Sequence, residues 1–189
     1  RWVAKDYKDD KRMDLFAATP PLEALKALLS MWMTEGIGFN SRTREEMRMD
    51  FIDVRRAYFH ADACRDVYIE LPEEDRTEGM CGKLLKSMYG TRDAAQNWEK
   101  TYTESMERAG FTAGISGPCT FVHAKRGMRA VIHGDDFTSL GWREDLDWFR
   151  EQIQTRFEVN MSGSLGPGKE EAKSIRILNR IVEYRNEGI

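Results

Sequence analysis

Between Cys119 and Leu140 three runs that read as extended are joined by two compact turns, and no other stretch limits the fold so strongly. Cys119 to Ala124 and Met128 to His133 flank Lys125-Arg126-Gly127, a polar turn of hairpin length. The second run passes directly into Gly134-Asp135-Asp136, after which Phe137-Thr138-Ser139-Leu140 resumes extended character. The expectation is an antiparallel hairpin whose tip carries two adjacent carboxylates.

The flanking sequence adds helices and further strands. Thr19-Pro20-Pro21 reads as a helix start, with Thr19 as N-cap and proline at the first helical position, where a missing N–H costs nothing. Leu22, Leu25, Leu28, Leu29, Trp32 and Met33 then recur at helical spacing until Gly36 and Gly38. Met47 to Val54 alternates Met47, Met49 and Phe51 with Arg48 and Asp50, reads as a strand, and delivers Asp53 at its C-terminal end. Val67 to Leu71 is a short strand before an acidic loop from Pro72 to Gly79. A second helix runs from about Arg92 to Ala109, with Gly110 at C′. Leu146, Phe149 and Ile153 mark a third. Phe157 to Met161 and Ser174 to Tyr184 read as strands separated by the loop Ser162 to Lys173. This order predicts an α+β fold, with helices packed on one face of a largely antiparallel sheet.

Composition narrows the function classes. A chain of 189 residues suffices for one domain with a real core and excludes a large multidomain enzyme. No apolar run is long enough to span a bilayer, since even Leu22 to Met33 is broken by Glu23, Lys26 and Ser30. Arg1-Trp2-Val3-Ala4-Lys5 carries no secretory pattern, and the epitope-like run from Asp6 to Lys11 is taken as native. Cys64, Cys81 and Cys119 are odd in number and widely spaced, which argues against a disulfide scaffold or a zinc site and for reduced thiols inside a cell. His60, His123 and His133 are scattered, so a bound metal should sit on carboxylates. Lys and Arg number 29 against 32 Asp and Glu, and the net charge of −3 does not advertise a nucleic-acid binder.

Asp53 at a strand end and Asp135-Asp136 at a tight turn can bring three hard oxygen ligands to one sheet edge. Mg2+ takes carboxylate oxygen, keeps several waters and fills its remaining positions with substrate phosphate. Two such ions about 3.5–4 Å apart would clamp the attacking and leaving oxygens of an in-line phosphoryl transfer. Gly-Asp-Asp between strands is also ordinary turn chemistry, and on spacing alone that reading stands first.

The surrounding segments change the balance. In order, the chain carries Arg1-Trp2-Val3-Ala4-Lys5, Ala18-Thr19-Pro20-Pro21-Leu22, the run Met49 to His60, Val67 to Pro72, Lys83 to Trp98, Pro118-Cys119 and His133-Gly134-Asp135-Asp136. These resemble "R-L-V-A-K", "S-P-V", "M-D-V-K-T-A-F-L-N/H-G", "I-Y-M-x-Q-P", "K-L-x-K-S-L-Y-G-L-K-Q-A-P-R-x-W", "D-P-C" and "Y-V-D-D" of the reverse transcriptase of Ty1/copia-type retrotransposons. The resemblance covers nearly the whole chain. It implies a right-hand polymerase palm with partial fingers: 1–46 and about 60–95 fingers-like, about 47–59 and 96–189 palm, with thumb and RNase H absent. It implies RNA-directed DNA polymerase activity with two Mg2+ ions, or Mn2+, in an intracellular setting, a cytoplasmic particle or the nucleus. The implied partners are an RNA or DNA template with primer, deoxynucleoside triphosphates, and the RNase H and integrase parts of a Pol polyprotein, with no membrane. Asp53 and Asp135 would bind both ions beside Asp136, and Val54 would add a backbone carbonyl. Tyr58 would gate against a ribose 2′-OH, Gly90 would admit template and nucleotide, and Arg92 and Lys5 would contact the triphosphate.

The sequence also departs from the family. His133 and Gly134 replace an aromatic and an apolar residue before the paired aspartates, and Asp93-Ala94-Ala95 replaces Gln-Ala-Pro, adding a negative charge. Asn160 stands where "F-E-M-K-D-L-G" has its lysine, with Lys169 or Lys173 as candidates to compensate. A catalytically degenerate remnant, acting at most as a nucleic-acid-binding module, is therefore the alternative. A nucleotide cyclase with a similar Gly-Asp-Asp-Phe turn ranks last, because the accompanying copia-like motifs are present.

Overall fold

The computed structural model describes residues 3–6 and 15–185. Arg1, Trp2, most of the epitope-like run and the final Gly188-Ile189 lie outside the described residues. In chain order the elements begin with α1 (Leu22–Trp32), β1 (Phe39–Asn40), β2 (Glu45–Glu46) and β3 (Arg48–Val54). Next come β4 (Tyr68–Ile69), β5 (Gly82–Lys83), α2 (Ala94–Arg108) and β6 (Thr112–Ala113). They are followed by β7 (Thr120–His123), β8 (Met128–His133), β9 (Asp136–Gly141) and α3 (Arg143–Arg156). The last are β10 (Val159–Leu165), β11 (Ser174–Ile177) and β12 (Arg180–Glu183).

The chain forms two compact units, Arg1–Ala18 with Arg56–Glu104, and Thr19–Arg55 with Ser105–Ile189. The second holds a six-stranded sheet in the order β10-β3-β9-β8-β7-β6, antiparallel throughout. Its α1 belongs with that sheet, so the stretch 19–46, expected beside the fingers-like segments, instead groups with the strands. Residues 56–59 and 96–104, expected with the palm, group with the first unit.

β3 explains the layering. Its alternation predicts one covered face, yet Met49, Asp50, Phe51, Ile52 and Val54 are all buried. Met49 and Phe51 join Leu28 and Trp32 of α1, Val131, Leu140 and Leu165 in one apolar cluster. Asp50, which points the opposite way by the two-residue period of a strand, pairs with Arg150 of α3. α1 and α3 therefore cover opposite faces of the sheet rather than one, because β3 is apolar on both sides and each side needs a cover. Full burial of a large apolar side chain such as Trp32 or Phe149 contributes about 1.5–3 kcal/mol.

Three local expectations change. α1 starts at Leu22 with extended Pro21 as its cap residue and no side-chain cap bond, so Thr19 is not the N-cap. The physical reason is the double proline: the residue before a proline is pushed out of the helical region, which keeps Pro20 from opening a helix. β10 continues past Met161 to Leu165 through a bulge, into what reads as loop. Ser174 to Tyr184 is a hairpin, not one strand, turning at Leu178-Asn179, both with left-handed backbone. α2 ends as expected, with Gly110 N–H donating to the Glu107 carbonyl and Phe111 N–H to that of Met106, the paired bonds of a Schellman motif.

Candidate active site

Strand register assembles the sheet unit's polar centre. Asp53 is directly opposite Asp136 on one side and Asn160 on the other, and Asp136 is opposite His133. Cross-strand partners share a face, so His133, Asp136, Asp53 and Asn160 form one row across four strands. The face that carries this row is the one α1 covers further along β3. Gly134 and Asp135 alone make the turn between β8 and β9, with Gly134 at φ 65° as a two-residue hairpin loop requires. Asp136 is thus a strand residue and only Asp135 sits at the tip. The Val54 N–H donates to the Asp135 carbonyl at 2.8 Å, which ties the tip to β3.

The electrostatics of this row are those of crowded like charge. Burial raises the Asp136 carboxyl above its ordinary 3.8, and Asp135 and Asp53 push the same way while His133 opposes them. Burial also raises Asp53, with Asp135 adding to it and Arg55 opposing. Such carboxylates are the right chemical kind for a hard cation. Among the described residues no group of three or more Asp, Glu, His or Cys is gathered closely enough to hold a metal ion. Mg2+ does not need such a cage, since it binds through one or two carboxylates and completes its shell with water and phosphate.

The other expected residues lie in the unit formed by 1–18 and 56–104. Tyr58, on a short 3-10 turn from Ala57 to His60, is half-buried with its ring 4.4 Å from that of Tyr89. Gly90 has φ 93°, and a Cβ there would stand 1.8 Å from the Ala4 carbonyl oxygen. The chain therefore demands glycine at this point. Arg92 is half-buried and Lys5 is exposed on the segment packed along Gly90.

Two sequence expectations are corrected. Asp93 does not add a loose negative charge: it is buried, its Oδ1 lies 3.1 Å from Arg65 Nε, and its Oδ2 accepts from Asn97 at 3.1 Å. Lys173 cannot stand in at Asn160, because its Nζ donates to the Gly166 and Gly168 carbonyls at 2.5 and 2.8 Å. Lys169 is exposed on the same loop. Arg65 and Arg150 carry the pairings that sequence reading missed. The only signal for Arg150 was an acidic residue, Asp50, inside a strand otherwise fit for burial.

No family model matches the chain. Among the described residues no helix is long and apolar enough to cross a membrane. The retrovirus-related Pol polyprotein from transposon TNT 1-94 of Nicotiana tabacum is 24% identical over 127 residues, covering 64% of this chain and 9% of that protein. The chain is thus similar to a limited stretch of a retrotransposon Pol polyprotein.

Proposed function

We propose that this chain is the fingers and palm portion of an RNA-directed DNA polymerase of a copia-type retroelement, extending a primer 3′-OH with deoxynucleotides. One observation carries the reading: Asp53 and Asp136 face each other in register, with Asp135 on the adjoining turn, in a chain similar to a Pol polyprotein. Two Mg2+ ions, or Mn2+, would supply activation of the 3′-hydroxyl and neutralisation of the departing pyrophosphate. Asp53 and Asp135 would hold both ions beside Asp136, with the Val54 carbonyl as a further ligand. Paired strands fix Asp53, Val54 and Asp136 more firmly than loops would, and the Val54 N–H holds the Asp135 turn to β3. Tyr58, packed on Tyr89, would occupy the space of a ribose 2′-OH, and Arg92 and Lys5 would take the triphosphate, while Gly90, whose missing Cβ makes room for the Ala4 carbonyl, would keep the Lys5 segment close. The template, primer and remaining Pol domains follow as partners from the same reading.

The test is single-nucleotide extension of a DNA primer on an RNA template by the complete gene product that contains this chain. Mg2+-dependent incorporation that disappears in Asp135→Asn is expected, and incorporation by Asp135→Asn at the wild-type rate contradicts the reading. A second reading, the degenerate remnant, is favoured by the pairing of Asn160 with Asp53 and by the commitment of Lys173 to its own loop. Steeply salt-dependent RNA binding without incorporation selects it.

A further inference from the structure

Three segments remote in sequence meet at one guanidinium. Arg65 pairs with Asp6, and its Nε lies 3.1 Å from Oδ1 of Asp93. Asp6 also accepts the backbone N–H of Arg92 at 3.1 Å. Asp93 is anchored in turn by the side-chain amide of Asn97, which donates to Ser87 Oγ at 2.9 Å as well. Around this knot residues 3–6 are laid along 88–92. The Ala4 N–H donates to the Tyr89 carbonyl at 2.8 Å, and the Asp6 N–H to that of Gly90 at 3.4 Å. Gly90, Arg92 and Lys5 therefore sit on two stretches of backbone that one cation fastens together.

The chemistry suits arginine and no other residue. A planar guanidinium can hydrogen-bond one carboxylate, here Asp6, while its Nε lies in ion-pair range of a second, here Asp93, whereas lysine is a point charge. Asp93 is 5% exposed, and a carboxylate so far from water is tolerated only with a paired cation. Burial acts to raise the Asp6 carboxyl, yet the Arg92 N–H and the Arg65 guanidinium outweigh it and hold it below its ordinary value.

We propose that Arg65 is a positioning residue for nucleotide binding: by clamping Asp6 to Asp93 it holds segment 3–6 against Gly90 and sets Lys5 and Arg92 for a triphosphate it does not itself touch. The identity of the ligand rests on the polymerase reading; the clamp does not. Amide hydrogen exchange on the chain and nucleotide KM of the complete gene product separate the two. Asp6→Ala leaves Arg65 paired with the buried Asp93 and so keeps the fold, while Arg65→Lys keeps the charge but cannot bridge both acids. Both variants should lose protection at the Ala4 and Arg92 amides about tenfold, with β8 and β9 unchanged, as expected for a charge-assisted bond. Both should raise the deoxynucleotide KM about tenfold with kcat within about twofold. Unchanged protection at these amides overturns the clamp. Lost protection with an unchanged KM, or a loss confined to kcat, overturns its role in nucleotide binding. A wild-type protein that incorporates nothing overturns the polymerase reading, and the exchange data then still decide the clamp.

Discussion

Two aspartates three residues apart on β3 meet opposite fates. Asp50 is 1% exposed and is gripped by Arg150, Nε at 2.6 Å and an Nη at 2.8 Å, with Asp147 holding the same guanidinium at 2.5 Å. Asp53, on the other face, meets Asp136 across the strand and feels Asp135, with Arg55 as the opposing charge. The fold neutralises the first carboxylate and concentrates the second with its own kind. Concentrating like charge weakens a fold, so folding supplies no reason for the second arrangement; the cations of the proposed function would supply one.

The largest effect should come from breaking the neutralised side. Arg150→Ala strands the buried Asp50 carboxylate and is expected to cost about 3–5 kcal/mol in urea unfolding. A cost near that of a surface substitution would dissolve the contrast. Glu171 belongs to the same class, bound by Arg48, by Arg143 at 2.6 Å and by the Gly168 N–H. Glu171→Ala should cost about 2–3 kcal/mol in the same measurement.

The pH dependence separates the classes by sign. A carboxyl whose folded pKa is depressed, as for Glu171 and Asp6, stabilises above its unfolded value and loses that contribution as pH falls through the folded one. A carboxyl whose folded pKa is raised, as for Asp53 and Asp136, contributes fully below about 3.8 and loses the contribution as pH rises through the folded value. Thermal unfolding of wild type and Asp136→Asn should therefore diverge as pH climbs from 3.8, with the variant the more stable. The smallest effect is that variant's gain at neutral pH, within about 0.5 kcal/mol. A clear loss there would mean that a group of the fold itself neutralises Asp136, which would dissolve the contrast.

Much of the charged row was legible beforehand, because it is built from local signals: short turns, glycine before aspartate, and a strand that ends on Asp53. The turn sets Asp136 against His133, but the register that sets Asp53 against Asp136 joins strands remote in sequence and no local signal marks it. The neutralised side was not legible. Asp50 and Arg150 are 100 residues apart, and Arg65 meets Asp6 and Asp93 across gaps that no periodicity marks. The β11–β12 hairpin was missed for a simpler reason, since Leu178-Asn179 turns without glycine. The bulge between Met161 and Gly163 likewise extends β10 where polar, glycine-rich sequence suggested a loop.

The most direct test of the account is divalent-cation binding by the chain itself, followed by electron paramagnetic resonance during Mn2+ titration at fixed ionic strength. The account predicts saturable binding in wild type that is lost in Asp53→Asn and in Asp135→Asn, and kept in Asp145→Asn, whose carboxylate is already paired with Arg126 at 2.7 Å. Equal binding by Asp53→Asn and wild type, or none in wild type, would contradict it.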